Sequence, residues 1–371
     1  MTKTWGTALA VAALGATVGP AAGQVTVRDL VVTAGASVEG YQGNLSSVTI
    51  PVVDSTNSAA AAVAEFGGRG RLYFLNNPDR GFRIDFDGGL RQFAATGFEV
   101  ADYAPREVVG RADAVYRQSL GAFGSMHAAF GYKGRNVVDR PPMPLFIQPG
   151  YGTTSGALRL TFAEVEGIRF DTELMAEWSD YQSHTLFPQL DLLDNRSTRV
   201  EVGGTWGADW KVRFYGAMRF AEFRRQGTNL PQDPFRQDRT VEAGATWMYS
   251  GPVVAAVGIA GLFNRSNSAR PEYDAVRFRG NLAVPLGYDF TGTVYASITG
   301  KSYKHDFEFV RLVPGEEADN GSVIYAALNR PIAPTLDAQV RVGWTRAETD
   351  FGGAFYERYG VSFLINFRPL P

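Results

Sequence analysis

The first residues to consider for chemistry are the histidines, because they set the number of candidate general bases. The chain has three, His127, His184 and His305. Ser183 precedes His184 and Asp306 follows His305, but adjacent residues on a strand point to opposite faces and cannot form a catalytic triad by themselves. The sequence has no Gly-x-Ser-x-Gly motif. We therefore predict no catalytic residues and no enzyme, with a hydrolase as the less favoured alternative.

Four arginines form a second candidate set, which suits anion binding. Arg213 and Arg219 share one face of an extended strand, and so do Arg277 and Arg279, because both spacings are even. The same faces of their own strands carry no nearby acid. An unpaired arginine strip attracts carboxylate and phosphate groups. If it lines a channel, it predicts a weak preference for anions; the alternative is a salt-bridged wall without selectivity.

Composition excludes several other kinds of site. The 371 residues include 42 Gly, 19 Pro and no Cys, and the formal net charge is -2. Without cysteine there is no disulfide framework, thiolate metal site or covalently attached haem. The near-neutral charge provides no field for nucleic acid. We expect no cofactor, no metal and no nucleic-acid partner; an acidic group at Glu316, Glu317 and Asp319 is interpreted as a solvated loop.

The N-terminus is predicted to be a signal peptide covering residues 1 to 23. Lys3 is followed by a small-residue apolar stretch from Ala8 to Val18, and Ala21 and Gly23 have the small side chains that signal peptidase recognises. The apolar stretch is too short for a membrane helix. Residues 24 to 371 are then expected to form a single exported domain.

The elements that must position these residues are strands. After residue 24 there is no run of 18 apolar residues, so helical membrane spans are excluded. Alternation with period two recurs instead, which is typical of strands with one apolar and one polar face. The clearest run has apolar Phe82, Ile84, Phe86 and Leu90 interleaved with charged Arg83, Asp85, Asp87 and Arg91.

Two kinds of break alternate between these strands. Short breaks recur about every 42 residues, near Pro78, Gly121, Gly167, Ala208, Gly251, Gly287 and Pro331. Longer polar stretches lie between them, at residues 42–58, 96–104, 137–150, 184–196, 227–237, 266–272, 304–319 and 350–353. This punctuation predicts sixteen strands, with fourteen or eighteen as alternatives. A propeller has the same period but needs four short strands per repeat, whereas two longer runs are found here.

A sheet of sixteen strands must enclose a space too wide for side chains to fill. A wet, charged lumen inside an apolar wall satisfies this constraint. The fold class predicted is therefore all-β, a closed antiparallel transmembrane β-barrel with short periplasmic turns and longer extracellular loops. The pore-lining residues predicted are Arg213, Arg219, Arg277, Arg279, Arg83, Asp85, Asp171 and Glu173.

The last strand carries a more specific resemblance. Arg358, Gly360, Phe363, Ile365 and Phe367 resemble the C-terminal insertion signal of Gram-negative outer-membrane β-barrel proteins, which are porin-like. The sequence departs from that signal in continuing for four residues after the final aromatic. The resemblance implies the bacterial outer membrane as location, contact with its lipid and lipopolysaccharide, and transient recognition by the barrel-assembly machinery. It is compatible with a homotrimer.

The third long loop is predicted to narrow the channel. Met143, Leu145, Phe146 and Ile147 are poorly suited to bulk water, and the surrounding prolines stiffen the segment. Its position is similar to that of the inward-folded third loop of general porins, although it lacks their acidic motif. The functional prediction is passive or facilitated diffusion of small hydrophilic solutes. The alternative is a barrel that binds an apolar ligand or a partner protein.

Overall fold

The structure is a computed structural model that describes residues 25–43, 58–96, 104–138, 150–182, 192–230, 232–268, 272–304, 321–348 and 355–369. The predicted signal peptide, the constriction residues Met143, Leu145, Phe146 and Ile147, and the histidines His184 and His305 lie outside the described residues. No helix among the described residues is long and apolar enough to span a membrane.

Sixteen strands form one sheet in which every neighbouring pair along the chain is antiparallel and hydrogen-bonded. The predicted count of sixteen is confirmed, and the alternatives of fourteen and eighteen are wrong. The strands are β1 (Thr26–Gly43), β2 (Ser58–Asn76), β3 (Arg80–Thr96), β4 (Arg106–Ser119), β5 (Gly124–Val138), β6 (Tyr151–Phe162), β7 (Ile168–Tyr181), β8 (Asn195–Trp206), β9 (Trp210–Leu230), β10 (Asp233–Ser250), β11 (Val254–Ser266), β12 (Tyr273–Gly287), β13 (Phe290–Tyr303), β14 (Ser322–Ala333), β15 (Leu336–Glu348) and β16 (Phe355–Phe367).

The sheet closes on itself because β1 pairs with β16. This ladder runs from Val32 opposite Phe367 to Gly43 opposite Tyr356, with Ser37 directly opposite Ser362. Closure removes both sheet edges, so the backbone groups of the first and last strands are satisfied like those of any interior strand. The predicted closed antiparallel barrel is therefore confirmed.

The short breaks at one end of the barrel include tight turns in which consecutive residues have positive φ. Glu166 and Gly167 between β6 and β7 have φ of 51° and 79°. Two consecutive residues with positive φ form the hairpin turn whose twist matches that of the flanking strands. Tyr288 and Asp289, with φ of 50° and 63°, make the same kind of turn between β12 and β13.

Two predicted breaks differ from the structure. Pro331 lies within β14, and the turn instead follows Ala333. The β14–β15 ladder shifts register between Pro331 and Ala333, and such an irregularity tolerates a residue without an N–H donor. The predicted loop at residues 227–237 is correctly located but too long, because β9 continues to Leu230 and β10 begins at Asp233.

Alternation along each strand separates an apolar outer face from a polar inner face. On the outside, Val38, Val202 and Ile259 are exposed by 66%, 59% and 58%. The polar face is the inner one, since Arg341 of β15 reaches Glu65 of β2 at 3.5 Å although β16 and β1 lie between those strands. Only the concave side of a closed sheet brings such distant side chains together.

Closure of β1 on β16 can be tested by cross-linking, because the chain has no cysteine. Ser37 and Ser362 are opposite each other on the inner face and both are buried. Opposite Cα atoms lie about 4.5 or 5.5 Å apart, within the range of a disulfide. We expect the Ser37→Cys/Ser362→Cys variant to cross-link on oxidation and migrate faster on a non-reducing gel.

The matched control is the pair Ser37→Cys/Asn366→Cys, which is offset along the same ladder because Asn366 lies opposite Thr33. This pair should remain reduced under the same oxidation. Cross-linking of the offset pair in preference to the aligned pair would contradict the register.

Candidate channel lumen

The inner face of β1 to β4 is built around one arginine that lies among three carboxylates. Arg91 of β3 is in register with Glu65 of β2 and Glu107 of β4. Its guanidinium donates to Glu65 at 3.4 Å, to Glu107 at 3.3 Å and, across β2, to Glu39 of β1. The carboxylates are mostly buried, with Glu39 and Glu107 each only 6% exposed. Since a buried charge needs a partner, these residues depend on Arg91.

Three further arginines contact these carboxylates and complete the cluster, which we call the Arg91 network. Arg135 lies 2.7 Å from Glu107, Arg341 lies 3.5 Å from Glu65 and Arg358 lies 4.0 Å from Glu39. Tyr41 donates its hydroxyl to Glu39, and the Ser37 hydroxyl donates to Glu65 at 2.9 Å. The network joins strands on both sides of the β1–β16 ladder, which we call the seam. Its ion pairs therefore stabilise the seam from the lumen side.

A second group, the Asp171 network, lies across β6 to β9. Asp171 accepts hydrogen bonds from Arg159 at 2.7 Å and from Arg213 at 3.0 Å. Arg213 also donates to Glu201 at 2.7 Å, and Arg199 lies 2.5 Å from the same carboxylate. Arginines and carboxylates therefore alternate across the inner wall, which holds both signs of charge in fixed positions.

The expectation that four arginines form an unpaired strip is wrong for two of them. Arg213 is paired with Asp171 and Glu201, and Arg277 lies 3.9 Å from Glu242 and 3.4 Å from the Thr299 hydroxyl. The acids lie on neighbouring strands, whereas the sequence pattern compared only residues on the same strand. Cross-strand neighbours decide pairing on a sheet face.

The other two arginines of that set keep the predicted character. In the described part of the chain no carboxylate forms an ion pair with Arg219 or Arg279. The same holds for the inner-face cations Arg28, Arg69, Arg117, Lys133 and Lys211, whereas the inner-face acids without such a pair are Asp87 and Glu177. The inner wall therefore carries an excess of positive charge beyond its paired groups.

The predicted lining residues Arg83 and Asp85 lie near the short-turn end of β3. Arg83 donates to Asp85 at 3.0 Å, and Arg71 of β2 approaches the same carboxylate at 3.8 Å. Beside them is a cavity of about 1170 Å³, lined by Arg69, Arg71, Asp85, Asp87, Arg111 and Asp113, among others. Glu173, the last of the predicted set, lies 4.0 Å from Arg159. All eight predicted lining residues lie on the strands that enclose this lumen.

The residues of the predicted insertion signal divide between the two faces of β16. Phe363 and Phe367 are exposed by 55% and 42% on the outer face, which they share with Ile365. Arg358 and Gly360 lie on the inner face, where Arg358 joins the Arg91 network. Recognition by an assembly machinery stays a prediction from the resemblance.

The candidate general base His127 lies in a basic setting. It is in register with Arg117 of β4 and Arg159 of β6, while Ser125 lies two residues away on the same strand and face. Among the described residues there is no group of three or more His, Asp or Glu side chains that could hold a metal ion.

Two features of the lumen are missing from the sequence-based prediction. One is the Arg91 network; the alternating charges of β3 suggest that Arg91 faces inward, but its partners depend on register. The other is a stacked pair of tyrosines, Tyr295 of β13 and Tyr325 of β14. The alternation of apolar and polar residues predicts that both tyrosines face the lumen. Their contact with each other follows only from the register of the β13–β14 ladder.

The sequence matches no protein-family model and no curated protein. Among solved structures, it is similar to OccK2 (OpdF) of Pseudomonas aeruginosa in complex with glucuronate, at 12% identity over 92% of this chain and 99% of that chain, with a TM-score of 0.39.

Two further structures have the same kind of likeness. A mutant of the TodX monoaromatic hydrocarbon channel has 9% identity over 94% of this chain and 90% of that chain, with a TM-score of 0.43. A mutant of the Rh. blastica porin has 11% identity over 92% of this chain and 100% of that chain, with a TM-score of 0.35. At these identities and TM-scores the fold assignment rests on the strand pairing of this chain itself.

Removing the central arginine should destabilise the barrel. Arg91→Ala leaves three carboxylates crowded on the inner wall, and breaking one partner of a buried charge network costs about 3–5 kcal/mol. We expect the urea midpoint of the refolded barrel to fall accordingly. The control is Arg69→Ala, which removes an exposed inner-face arginine without an ion pair to a described carboxylate and should change stability by less than about 0.5 kcal/mol. Equal losses in both variants would contradict the role assigned to the network.

Proposed function

We propose that the protein is an outer-membrane channel for the passive or facilitated diffusion of small hydrophilic solutes. The observation that carries this proposal is the closed sixteen-strand barrel with an apolar outer face and a charged inner face. An apolar exterior fits a lipid environment, where closure satisfies every backbone group of the spanning strands. Barrels of this strand number enclose an aqueous channel.

Aromatic side chains support the membrane placement. Trp206 and Trp210 flank the short β8–β9 turn and pack edge to face with ring centroids 4.7 Å apart. Trp247 and Tyr249 lie at the same end of β10, with stacked rings. Trp206, Trp210 and Trp247 are each at least 42% exposed on the outer face. A girdle of aromatics is typical of the interface between lipid and water.

The charge of the inner wall supports hydrophilic solutes and a weak preference for anions. The paired groups of both networks provide a polar surface without strong net charge. The cations without a described carboxylate partner, Arg219 and Arg279 among them, exceed the corresponding acids Asp87 and Glu177. An excess of positive charge in a pore attracts anions and sets selectivity.

Export and assembly form a further part of the proposal. Residues 1 to 23 are proposed to direct export and to be removed before Gln24. The apolar positions of β16, including Phe363 and Phe367, are proposed to be read by the barrel-assembly machinery before β16 pairs with β1. A homotrimer and contacts with lipopolysaccharide stay predictions from the resemblance.

The membrane placement predicts a large effect for one of two adjacent substitutions and almost none for the other. Ile298 is 43% exposed on the outer face, and Ser297 precedes it on the inner face. Arginine on the lipid face near the bilayer midplane costs about 2–4 kcal/mol, whereas a lumen position accepts charge. We expect Ile298→Arg to lower the unfolding free energy in lipid vesicles and Ser297→Arg to leave it nearly unchanged. The reverse order would argue against a lipid-facing exterior.

The channel activity itself is tested by single-channel recording of the refolded protein in a planar bilayer under a salt gradient. Discrete current steps are the expected result. Arg219→Gln/Arg279→Gln should shift the reversal potential towards cations, and the matched variant Asp87→Asn/Glu177→Gln should shift it towards anions. A barrel that inserts but stays electrically silent would refute the channel, and unchanged potentials in both variants would refute the proposed basis of selectivity.

A further inference from the structure

One part of the inner wall differs from the charged networks. Tyr295 of β13 and Tyr325 of β14 are direct cross-strand partners, with ring centroids 5.1 Å apart and planes inclined by 25°. Tyr325 is 38% exposed, so the pair is stacked without being buried. A stacked pair fixes the orientation of both rings and presents a rigid aromatic surface to the lumen.

On the β15 side of this pair, the inner face of the barrel carries glycines instead of larger side chains. Tyr325 lies opposite Gly343 of β15, which in turn lies opposite Gly360 of β16. A Cβ added to Gly343 would approach the Cβ of Tyr325 to 3.7 Å, an ordinary contact distance. Glycine is therefore not required here by close packing. Its effect is to leave the space beside the Tyr325 ring open.

The surroundings of the pair are polar, and an inner-face arginine lies on each flanking strand: Arg279 of β12 opposite Ser297, and Arg341 of β15 opposite Ala327. Asn281 of β12 lies opposite Tyr295 and is exposed, while Ser297 of β13 and Asn329 of β14 lie two and four residues along their strands on the same face. Within the described residues, the inner positions of β13 from Thr293 to Thr299 and of β14 from Val323 to Asn329 carry no ionisable group other than the two tyrosines. Hydroxyl, amide and guanidinium groups thus surround an aromatic platform.

These features match the chemistry of a sugar ring. A pyranose has a face of C–H groups that is apolar and a rim of hydroxyls that donate and accept hydrogen bonds. Aromatic surface accommodates the former, and hydroxyl and guanidinium side chains match the latter. A few placed polar groups around an apolar surface are what small-molecule sites usually provide.

We propose that the Tyr295–Tyr325 platform is a binding site for saccharides within the lumen. The inference rests on the proposed channel and deepens it, because a weak site on the wall would raise the local concentration of sugar and favour its passage. The ring of a sugar would lie against Tyr325 on the side opened by Gly343, with hydroxyls directed to Arg341 and Thr345, which lie two residues from Gly343 on the same face.

The test is obstruction of single-channel current by a neutral oligosaccharide, with maltotriose as the probe. We expect brief, concentration-dependent interruptions of the wild-type current, and none with a polyethylene glycol of equal size. Tyr325→Ala should weaken the apparent affinity by about fivefold to tenfold, because an aromatic stacking contact is worth about 1 kcal/mol. Tyr325→Phe keeps the ring and should retain most of the affinity.

The matched control is Tyr151→Ala. Tyr151 forms a cross-strand aromatic pair with Tyr181, with centroids 5.9 Å apart, but it has the cations Lys133 and Arg135 over its ring. We expect this variant to be obstructed like the wild type. Equal loss in Tyr151→Ala and Tyr325→Ala would overturn the assignment of the site.

The outcomes separate this inference from the proposed channel. Ion steps that persist without any effect of maltotriose would overturn the saccharide site and leave the channel intact. If the barrel conducts no ions, calorimetric titration of the detergent-solubilised protein decides instead. Heat of binding with maltotriose that disappears in Tyr325→Ala would support the site even though the channel had failed, and no heat in the wild type would overturn it.

Discussion

Closure of the barrel at β1 and β16 is the constraint on which the other features depend. Pairing of these strands defines an inside, and alternation along every strand then assigns each side chain to lumen or exterior. Without closure, Arg341 of β15 and Glu65 of β2 would lie on distant edges of an open sheet. The charged inner wall is therefore a consequence of topology as much as of composition, since the same alternation in an open sheet would not enclose a lumen.

The pairing of charged side chains on the inner wall differs from one part of the barrel's circumference to another. The Arg91 network is largely buried and holds the seam between the first and last strands, while the Asp171 network fixes Arg213 between two carboxylates. The strands β13 and β14 interrupt this pattern with hydroxyl, amide and aromatic groups. A wall divided in this way can separate structural ion pairs from the places where solutes make contact.

Local sequence patterns predict more of the fold than of the candidate site. Alternation between Phe82 and Leu90 predicts β3, and turn residues such as Gly167 locate the hairpins. Pro331 wrongly predicts a turn, because the β14–β15 ladder shifts register beside it and therefore tolerates a proline within the strand. The partners of Arg213 lie 12 and 42 residues away in sequence, and their contact depends on strand register, which a single strand does not encode. Arg219 and Arg279 match expectation because no described carboxylate on a neighbouring strand pairs with them.

The seam also constrains how the chain can fold. Thr33 and Asn366 join their side chains across the closing ladder at a separation of 333 residues, so the last ladder forms between segments at opposite ends of the polypeptide. Contacts of such high sequence separation are slow to form because loop closure costs entropy. Until β16 arrives, β1 is an unpaired edge able to capture another chain. A truncation that removes β16 would therefore leave β1 as an exposed edge that is prone to association.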